Sequence, residues 1–345
     1  MKLSIIVPVY NMASDGKLSF CLDSLLNQTI KDEYEIIAVD DASTDDSPDV
    51  LRRYEAENPG KIRVIFSPEN HHQGGARNLG IAASTGKWIG FVDSDDWISP
   101  EYYEKMIRRG EETGADVVGC NYSIVNTHTF EVGKEVHSHT VSDTGSMTVE
   151  KRKNYLKNIS SSVTKIYLAS LIKDNGLTFP EDIFYEDNAA CPVWAMYFKH
   201  FEYLDEPLYY YYQHDSSTVH TVTGSRCEDR LKAGEILLSE MKSRGFFNEY
   251  HEEIENIFTT VYYTNTVFSY MRMPKGKKYS FIKKIRKRML EEFPDFQKNP
   301  NYGRFMDEEQ KKYTGLFMKA PFVFYVKYSL LWKYRDMRSS KKDHT

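Results

Sequence analysis

Five short apolar runs, each followed by a stretch with helical spacing, constrain this chain more than any other feature of its sequence. Leu3-Ser4-Ile5-Ile6-Val7-Pro8-Val9-Tyr10 is almost continuously apolar, as expected of a strand covered on both faces. Leu18, Cys21, Leu22, Leu25 and Leu26 then recur at helical spacing. Glu35-Ile36-Ile37-Ala38-Val39 reads as a second strand, and Ser47-Pro48 opens a helix that runs to about Asn58. Ile62 to Phe66 and Trp88 to Val92 read as the third and fourth strands, with a helix from Gly74 to Ala83 between them. A helix from Ser99-Pro100 to about Gly114 precedes a fifth strand, Asp116 to Cys120. Such alternation implies an α/β fold: a mostly parallel, Rossmann-like sheet flanked by helices.

In sheets of this kind ligands bind beyond the carboxyl ends of the strands, and here those ends are polar. The first strand ends in Pro8-Val9-Tyr10-Asn11, the second in Asp40-Asp41, and the fourth in Asp93-Ser94-Asp95-Asp96. Three carboxylates in four positions repel one another unless a cation sits among them. Asp93 and Asp95 are two apart, so along extended chain they share a face. Hard oxygen ligands of this type suit Mg2+ or Mn2+, which complete their shell from water and a substrate's phosphates. The alternative is an acidic turn after a strand, with Ser94 or Asp96 capping the next segment.

Other candidates carry similar alternatives. Asp40-Asp41 can accept from the imide N–H of a pyrimidine base, or can simply shape a strand-to-helix turn. His71-His72-Gln73-Gly74-Gly75-Ala76-Arg77 combines a glycine turn, a helix N-terminus and a guanidinium, a set that suits a diphosphate. Glu186-Asp187 stands at a helix start, where a carboxylate either faces the helix dipole or serves as a general base. The aromatic run Tyr209 to Tyr212 reads as a strand, followed by His214 and, further on, His220 as candidate third metal ligands or phosphate donors.

At 345 residues, 41% hydrophobic and 28% charged, the chain has the make-up of a globular protein with room for one large domain and an appendage. Cys21, Cys120, Cys191 and Cys227 form no CxxC pair, which points to buried, reduced thiols. Met1-Lys2-Leu3 runs straight into a strand, so no secretory signal is expected and a cytoplasmic location is. The net charge of −5 conceals an asymmetry, because Arg272 to Thr345 holds 20 Lys and Arg against 8 Asp and Glu. A basic tail suggests an anionic partner surface.

Taken in order, Ser4-Ile5-Ile6-Val7-Pro8-Val9-Tyr10-Asn11, Val39-Asp40-Asp41-Ala42-Ser43-Thr44-Asp45, Gly75-Ala76-Arg77-Asn78, Phe91-Val92-Asp93-Ser94-Asp95-Asp96 and Tyr185-Glu186-Asp187 resemble the family 2 glycosyltransferases. Thr164-Lys165-Ile166-Tyr167 and Gly176-Leu177-Thr178-Phe179-Pro180 look like the bacterial capsule and exopolysaccharide branch. The resemblance implies a GT-A fold, a nucleotide-diphospho-sugar donor (UDP by family habit), a divalent metal and inversion at the anomeric carbon. It implies that Pro8, Tyr10, Asn11, Asp40, Asp41, Arg77 and Ser94 line the donor pocket. Asp93 and Asp95 would be the DxD metal ligands, with His214 as a third, and Asp187, beside Glu186, the catalytic base. The acceptor would be a glycan or lipid-linked hydroxyl, and no nucleic-acid partner is expected. A sugar nucleotidyltransferase, or a degenerate binding protein, is the rival reading.

The remaining chain is less regular. Ser123 to Thr148 reads as an irregular excursion or hairpin, and Val149 to Lys173 as helical. Phe184 to Asn188 opens a further helix through Trp194 and Met196, and Pro207 to Tyr212 is an aromatic strand. From Ser225 the pattern is helical almost to Met273, and a basic helix covers about Ser280 to Glu292. The expected domains are 1–224, with a donor half 1–125 and an acceptor half 126–224, and a helical basic and aromatic region 225–345. Ala320 to Trp332 is too short, at 13 residues, to span a bilayer. With the preceding lysines it suits peripheral binding to anionic headgroups, or else a helical subdomain or dimer contact.

Overall fold

The structure is a computed structural model that describes the whole chain except residues 159, 160, 214–221, 305 and 343–345. It divides into two compact units, Met1–Asp215 and Ser216–Thr345.

The first unit is built on a ten-stranded sheet. Its strands are β1 (Leu3–Val9), β2 (Tyr34–Asp40), β3 (Ile62–Phe66), β4 (Trp88–Phe91), β5 (Trp97–Ile98), β6 (Val117–Val125), β7 (Lys134–Val136), β8 (Gly145–Ser146), β9 (Lys165–Leu168) and β10 (His200–Tyr212). They lie in the order β3-β2-β1-β4-β9-β6-β10-β5, with β7 on β6 and β8 on β10. Strands β3, β2, β1 and β4 are mutually parallel, and the apolar runs of β1 and β2 are buried on both faces, as the sequence pattern anticipates.

Beyond β4 the sheet becomes mixed, because β9 pairs antiparallel with both β4 and β6. Parallel pairing still predominates, through β1–β2, β1–β4, β2–β3 and β6–β10, as expected; what is corrected is the helix expected from Val149 to Lys173. That segment instead forms α5 (Val149–Leu156), strand β9 and α6 (Ala169–Asp174). The strand wins because Ile166 and Tyr167 fill the gap between β4 and β6 and are buried there, a tertiary demand that local periodicity does not register.

Helices α1 (Lys17–Leu26), α2 (Ser47–Glu57), α3 (His72–Ala83), α4 (Tyr102–Thr113) and α7 (Glu186–Ala195) complete this unit. On α4 the residues Tyr102, Tyr103, Met106, Ile107 and Gly110 make one buried face. Gly114 then ends the helix in the left-handed conformation, φ +70°. Under α3, Ala76 packs on Ile37 and Val39 of the sheet.

The second unit is helical: α8 (Gly224–Ser243), α9 (His251–Phe258), α10 (Thr266–Arg272), α11 (Tyr279–Glu292), α12 (Glu308–Lys319) and α13 (Pro321–Lys342). A π-helical stretch, Thr259–Asn265, joins α9 to α10 in one continuous helix. Phe268, Phe317, Phe324 and Tyr328 are buried together in its core, so half of the aromatic tail segment is packing. No helix among the described residues is long and apolar enough to cross a membrane.

Candidate active site

The ends of β1 and β2 are stapled together by side chains in the turns that follow them. Asn11 follows β1 with φ +53°, a conformation that asparagine tolerates better than most residues. Its carboxamide oxygen accepts from the backbone N–H of Thr44 at 2.8 Å and of Asp45 at 3.3 Å, and its own N–H donates to Ser43 Oγ at 2.9 Å. Ser47 Oγ accepts from Met12 N–H at 2.7 Å. Asn11 thus fixes the β2 turn to the β1 turn. Pro8 is buried within β1, whereas Tyr10 stands 45% exposed on the rim.

The two aspartates at the end of β2 are both buried. Asp40 Oδ2 accepts from Ser43 N–H at 3.3 Å. Asp41 Oδ1 accepts from His71 N–H at 2.9 Å, which anchors the start of α3. Asp40 Oδ1 and Asp41 Oδ2 have no hydrogen-bond partner among the described residues. Burial pushes the Asp41 carboxyl up, against the opposing His71 contacts. A buried acceptor in that state calls for a donor such as an imide N–H.

Beyond β4 the acidic cluster divides its labour. Asp96 is buried, and it accepts from Tyr209 O–H at 2.6 Å and from Tyr212 N–H at 2.8 Å. It therefore ties the turn to β10, a role that no sequence signal specified. Ser94 is buried beside it. Asp93 and Asp95 are part-buried, and Asp93 accepts from Arg77 at 2.7 Å. Burial pushes the Asp93 carboxyl up, and the Asp95 charge adds to this while Arg77 opposes it.

Arg77 itself lies in α3 and is 2% exposed. One guanidinium nitrogen reaches Asp93 and another reaches Glu186, at the start of α7. Burial alone would lower the guanidinium pKa, but the Asp93 and Glu186 charges outweigh it and hold the group charged. The sequence suggested a diphosphate contact for Arg77; in the structure its guanidinium pairs with Asp93 and Glu186. The glycines before it also differ from expectation. They lie inside α3 as close-packing positions rather than in a phosphate loop, since a Cβ on Gly74 would collide with the Pro180 carbonyl oxygen.

That contact brings the 180s loop and α7 against α3. Tyr185 enters α7 in the left-handed region, φ +67°, a strained setting for a bulky residue and one often associated with function. Glu186 is buried and Asp187 partly so. Burial, and then the neighbouring Glu186 charge, push the Asp187 carboxyl up to about 7. A carboxyl so placed titrates near neutrality, where a general base is most useful. Asp187 and Asp93 are thus joined through Glu186 and Arg77. His214, the expected third ligand, lies outside the described residues, as does His220.

Residues 4–175 match the model of the glycosyl transferase family 2. EpsH of Bacillus subtilis, named as a putative glycosyltransferase, is 33% identical over 268 residues, 73% of each chain. This chain is a family 2 glycosyltransferase. A second relative of the enzyme is the poly(ribitol-phosphate) beta-glucosyltransferase of Bacillus spizizenii, 35% identical over 184 residues. That alignment takes in 53% of this chain but only 27% of the relative. Among solved structures, residues 1–349 of Staphylococcus aureus TarS, in complex with UDP-GlcNAc, superpose with a TM-score of 0.64 and 21% identity, covering 98% of the glycosyltransferase and 92% of the TarS chain. The likeness establishes a GT-A-like fold.

Proposed function

We propose that this glycosyltransferase transfers a sugar, with inversion, from a UDP-sugar to a hydroxyl of a glycan or lipid-linked acceptor in cell-surface polysaccharide synthesis. The observation that carries the reading is the Arg77 bridge, which couples the acidic pair after β4 to the carboxylate pair opening α7. The unpartnered Asp41 Oδ2 supports a uracil N–H as the base contact, and Tyr10 and Pro8 would flank the ring. UDP-GlcNAc in the TarS complex, and the polymer acceptor in the name of the B. spizizenii relative, point in the same direction.

The residues fit a divalent cation, Mn2+ or Mg2+. The Asp95 charge works against ionisation of Asp93, which a cation relieves. Asp93 and Asp95 would hold it, and when bound it supplies neutralisation of the donor's diphosphate. The chain's own residues do the rest. Arg77 fixes Asp93 and Glu186 in place, and Asp96 with Tyr209 fixes the turn. Asp187 receives the proton of the acceptor hydroxyl as its oxygen bonds to the anomeric carbon from the face opposite the departing diphosphate. The bond between that carbon and the diphosphate oxygen breaks in the same displacement. An Asp187→Asn variant tests this: turnover should collapse while UDP-sugar binding persists, and unchanged turnover would remove Asp187 as the base.

Peripheral membrane association is part of the same proposal. On α13, Phe322, Val326, Leu330 and Tyr334 recur every fourth residue and are 60%, 39%, 61% and 54% exposed. An apolar stripe accompanied by Lys319, Lys327 and Lys333 suits an anionic lipid surface.

A further inference from the structure

Helix α1 opens on Lys17, whose side chain is only 4% exposed. Side chains in a first helical turn lean back past the N-terminus, and Lys17 does so. Its Nζ stands 3.8 Å from Asp15 Oδ2, the one ion pair it makes among the described residues. That is too long for a hydrogen bond, and Asp15 is 76% exposed, so water screens the attraction. The ammonium donates no hydrogen bond to any described residue. A lysine in this place is unfavourable twice over. A buried charge is costly unless it is paired and hydrogen-bonded, and a helix N-terminus already carries the positive end of the dipole. No side chain caps α1 to offset either cost.

A second group beside it has the same deficit. Phe20, three residues on, shares a face of α1 with Lys17, and its ring stacks on the His128 imidazole with centroids 5.0 Å apart. His128 Nε2 is buried and has no hydrogen-bond partner among the described residues. Burial, and then the Lys17 charge, hold the imidazole pKa down, so the ring feels the ammonium. The segment after β6 is held in place: Trp97 Nε1 donates to Thr129 O at 2.8 Å, and Tyr210 O–H donates to Phe130 O at 2.9 Å. One turn along α1, Cys21 Sγ donates to the Asp93 carbonyl at 3.6 Å, so the group borders the acidic turn.

A buried ammonium, an uncapped helix N-terminus and an unpartnered imidazole N–H all lack the same thing, and an oxyanion supplies it. One full positive charge with one neutral donor matches a singly charged phosphate ester. The surrounding side chains come from α1, β5, β10 and the segment after β6, and none from β2, where Asp40 and Asp41 stand.

We propose that Lys17 and His128 form an oxyanion subsite that takes a phosphate group of the acceptor, occupied at the same time as the nucleotide. That the phosphate belongs to the acceptor rests on the transferase reading above; the subsite itself does not depend on Asp93, Asp95 or Asp187.

The test is a titration of the full chain with inorganic phosphate at constant ionic strength, following the His128 signal in protein carbon-13-labelled at histidine Cε1. That signal is identified by its loss in His128→Phe. Phosphate is expected to shift it in the wild type, equally in Asp95→Ala, and also in wild type saturated with UDP and Mg2+. In Lys17→Met phosphate should bind about tenfold more weakly, the usual worth of a hydrogen bond from a charged group, with UDP affinity unchanged. An unmoved His128 signal, or equal phosphate affinity in Lys17→Met, would overturn the subsite. Loss of the phosphate response once UDP is bound would overturn the acceptor assignment, because the donor's own phosphates would then fill the place. Protein that binds phosphate here but no nucleotide keeps the subsite and sinks the donor reading instead. Should Lys17→Met fail to fold, the wild type decides: an equal shift with chloride at the same ionic strength would overturn the proposal.

Discussion

Arg77 grips Asp93 at 2.7 Å from inside a helix where it is almost completely shielded from water. Its second carboxylate, Glu186, is equally buried. Removing the guanidinium would leave two acidic groups facing each other without a cation. An Arg77→Gln variant is therefore expected to lose roughly 3–5 kcal/mol of stability, the usual cost of breaking a buried ion pair from one side. Urea unfolding at neutral pH measures this. A loss under about 1 kcal/mol would show that the bridge is dispensable.

The raised carboxyl of Asp187 makes a pH prediction with a definite sign. Turnover should climb as pH rises through about 7 and then level off, because only the ionised group accepts a proton. Stability runs the other way. A carboxyl that titrates near 3.9 when unfolded and about 7 when folded favours the folded state most below the lower value. That contribution is lost as pH rises toward 7. Asp187→Asn removes the loss, so in EDTA the variant should gain stability relative to wild type between about pH 5 and pH 8, by up to a few kcal/mol. Thermal unfolding at the two pH values is the check.

Asp96 is held by one hydroxyl and one backbone N–H, and burial with the Asp95 and Asp93 charges pushes its carboxyl well up. Tyr209→Phe deletes the hydroxyl and leaves the carboxylate under-satisfied. A loss of about 1–3 kcal/mol is expected. Because the same turn carries Asp93 and Asp95, metal-dependent donor affinity should weaken as well. Denaturant unfolding and donor titration on one preparation would show whether the two effects travel together.

Much of this site was legible from residue order alone. The apolar runs of β1, β2 and β4 announce a buried parallel sheet, and Asp40-Asp41, Asp93-Ser94-Asp95 and Glu186-Asp187 stand at element ends. What could not be read is who partners whom. Nothing in the sequence pairs Arg77 with Glu186, 109 positions away, because the pairing depends on Gly74 letting α3 approach the Pro180 carbonyl. Strand β9 is hidden for a similar reason: Lys165-Ile166-Tyr167-Leu168 has no alternation, and its strand state comes from the slot between β4 and β6. In the tail, Phe324 and Tyr328 are core while Phe322 and Leu330 face outward, a division that composition cannot make.

That outward face gives a fourth prediction. Deleting Tyr313 to Thr345 should move the protein from the membrane to the soluble fraction after cell lysis and centrifugation. The quadruple change of Phe322, Val326, Leu330 and Tyr334 to Ser should do the same without removing the helix. If both proteins still pellet with membranes, α13 is not the anchor.

The most direct test of the central claim is a thermal-shift panel of nucleoside diphosphates and their sugars with Mn2+, Mg2+ or EDTA, because a ligand that binds the native state raises its apparent stability. The expected result is a shift for UDP and a UDP-sugar that requires metal and disappears in Asp95→Ala, while Asp187→Asn retains it. A folded protein that shows no shift with any nucleotide, or an identical shift in Asp95→Ala and in EDTA, would contradict the donor site assigned to the ends of β1, β2 and β4.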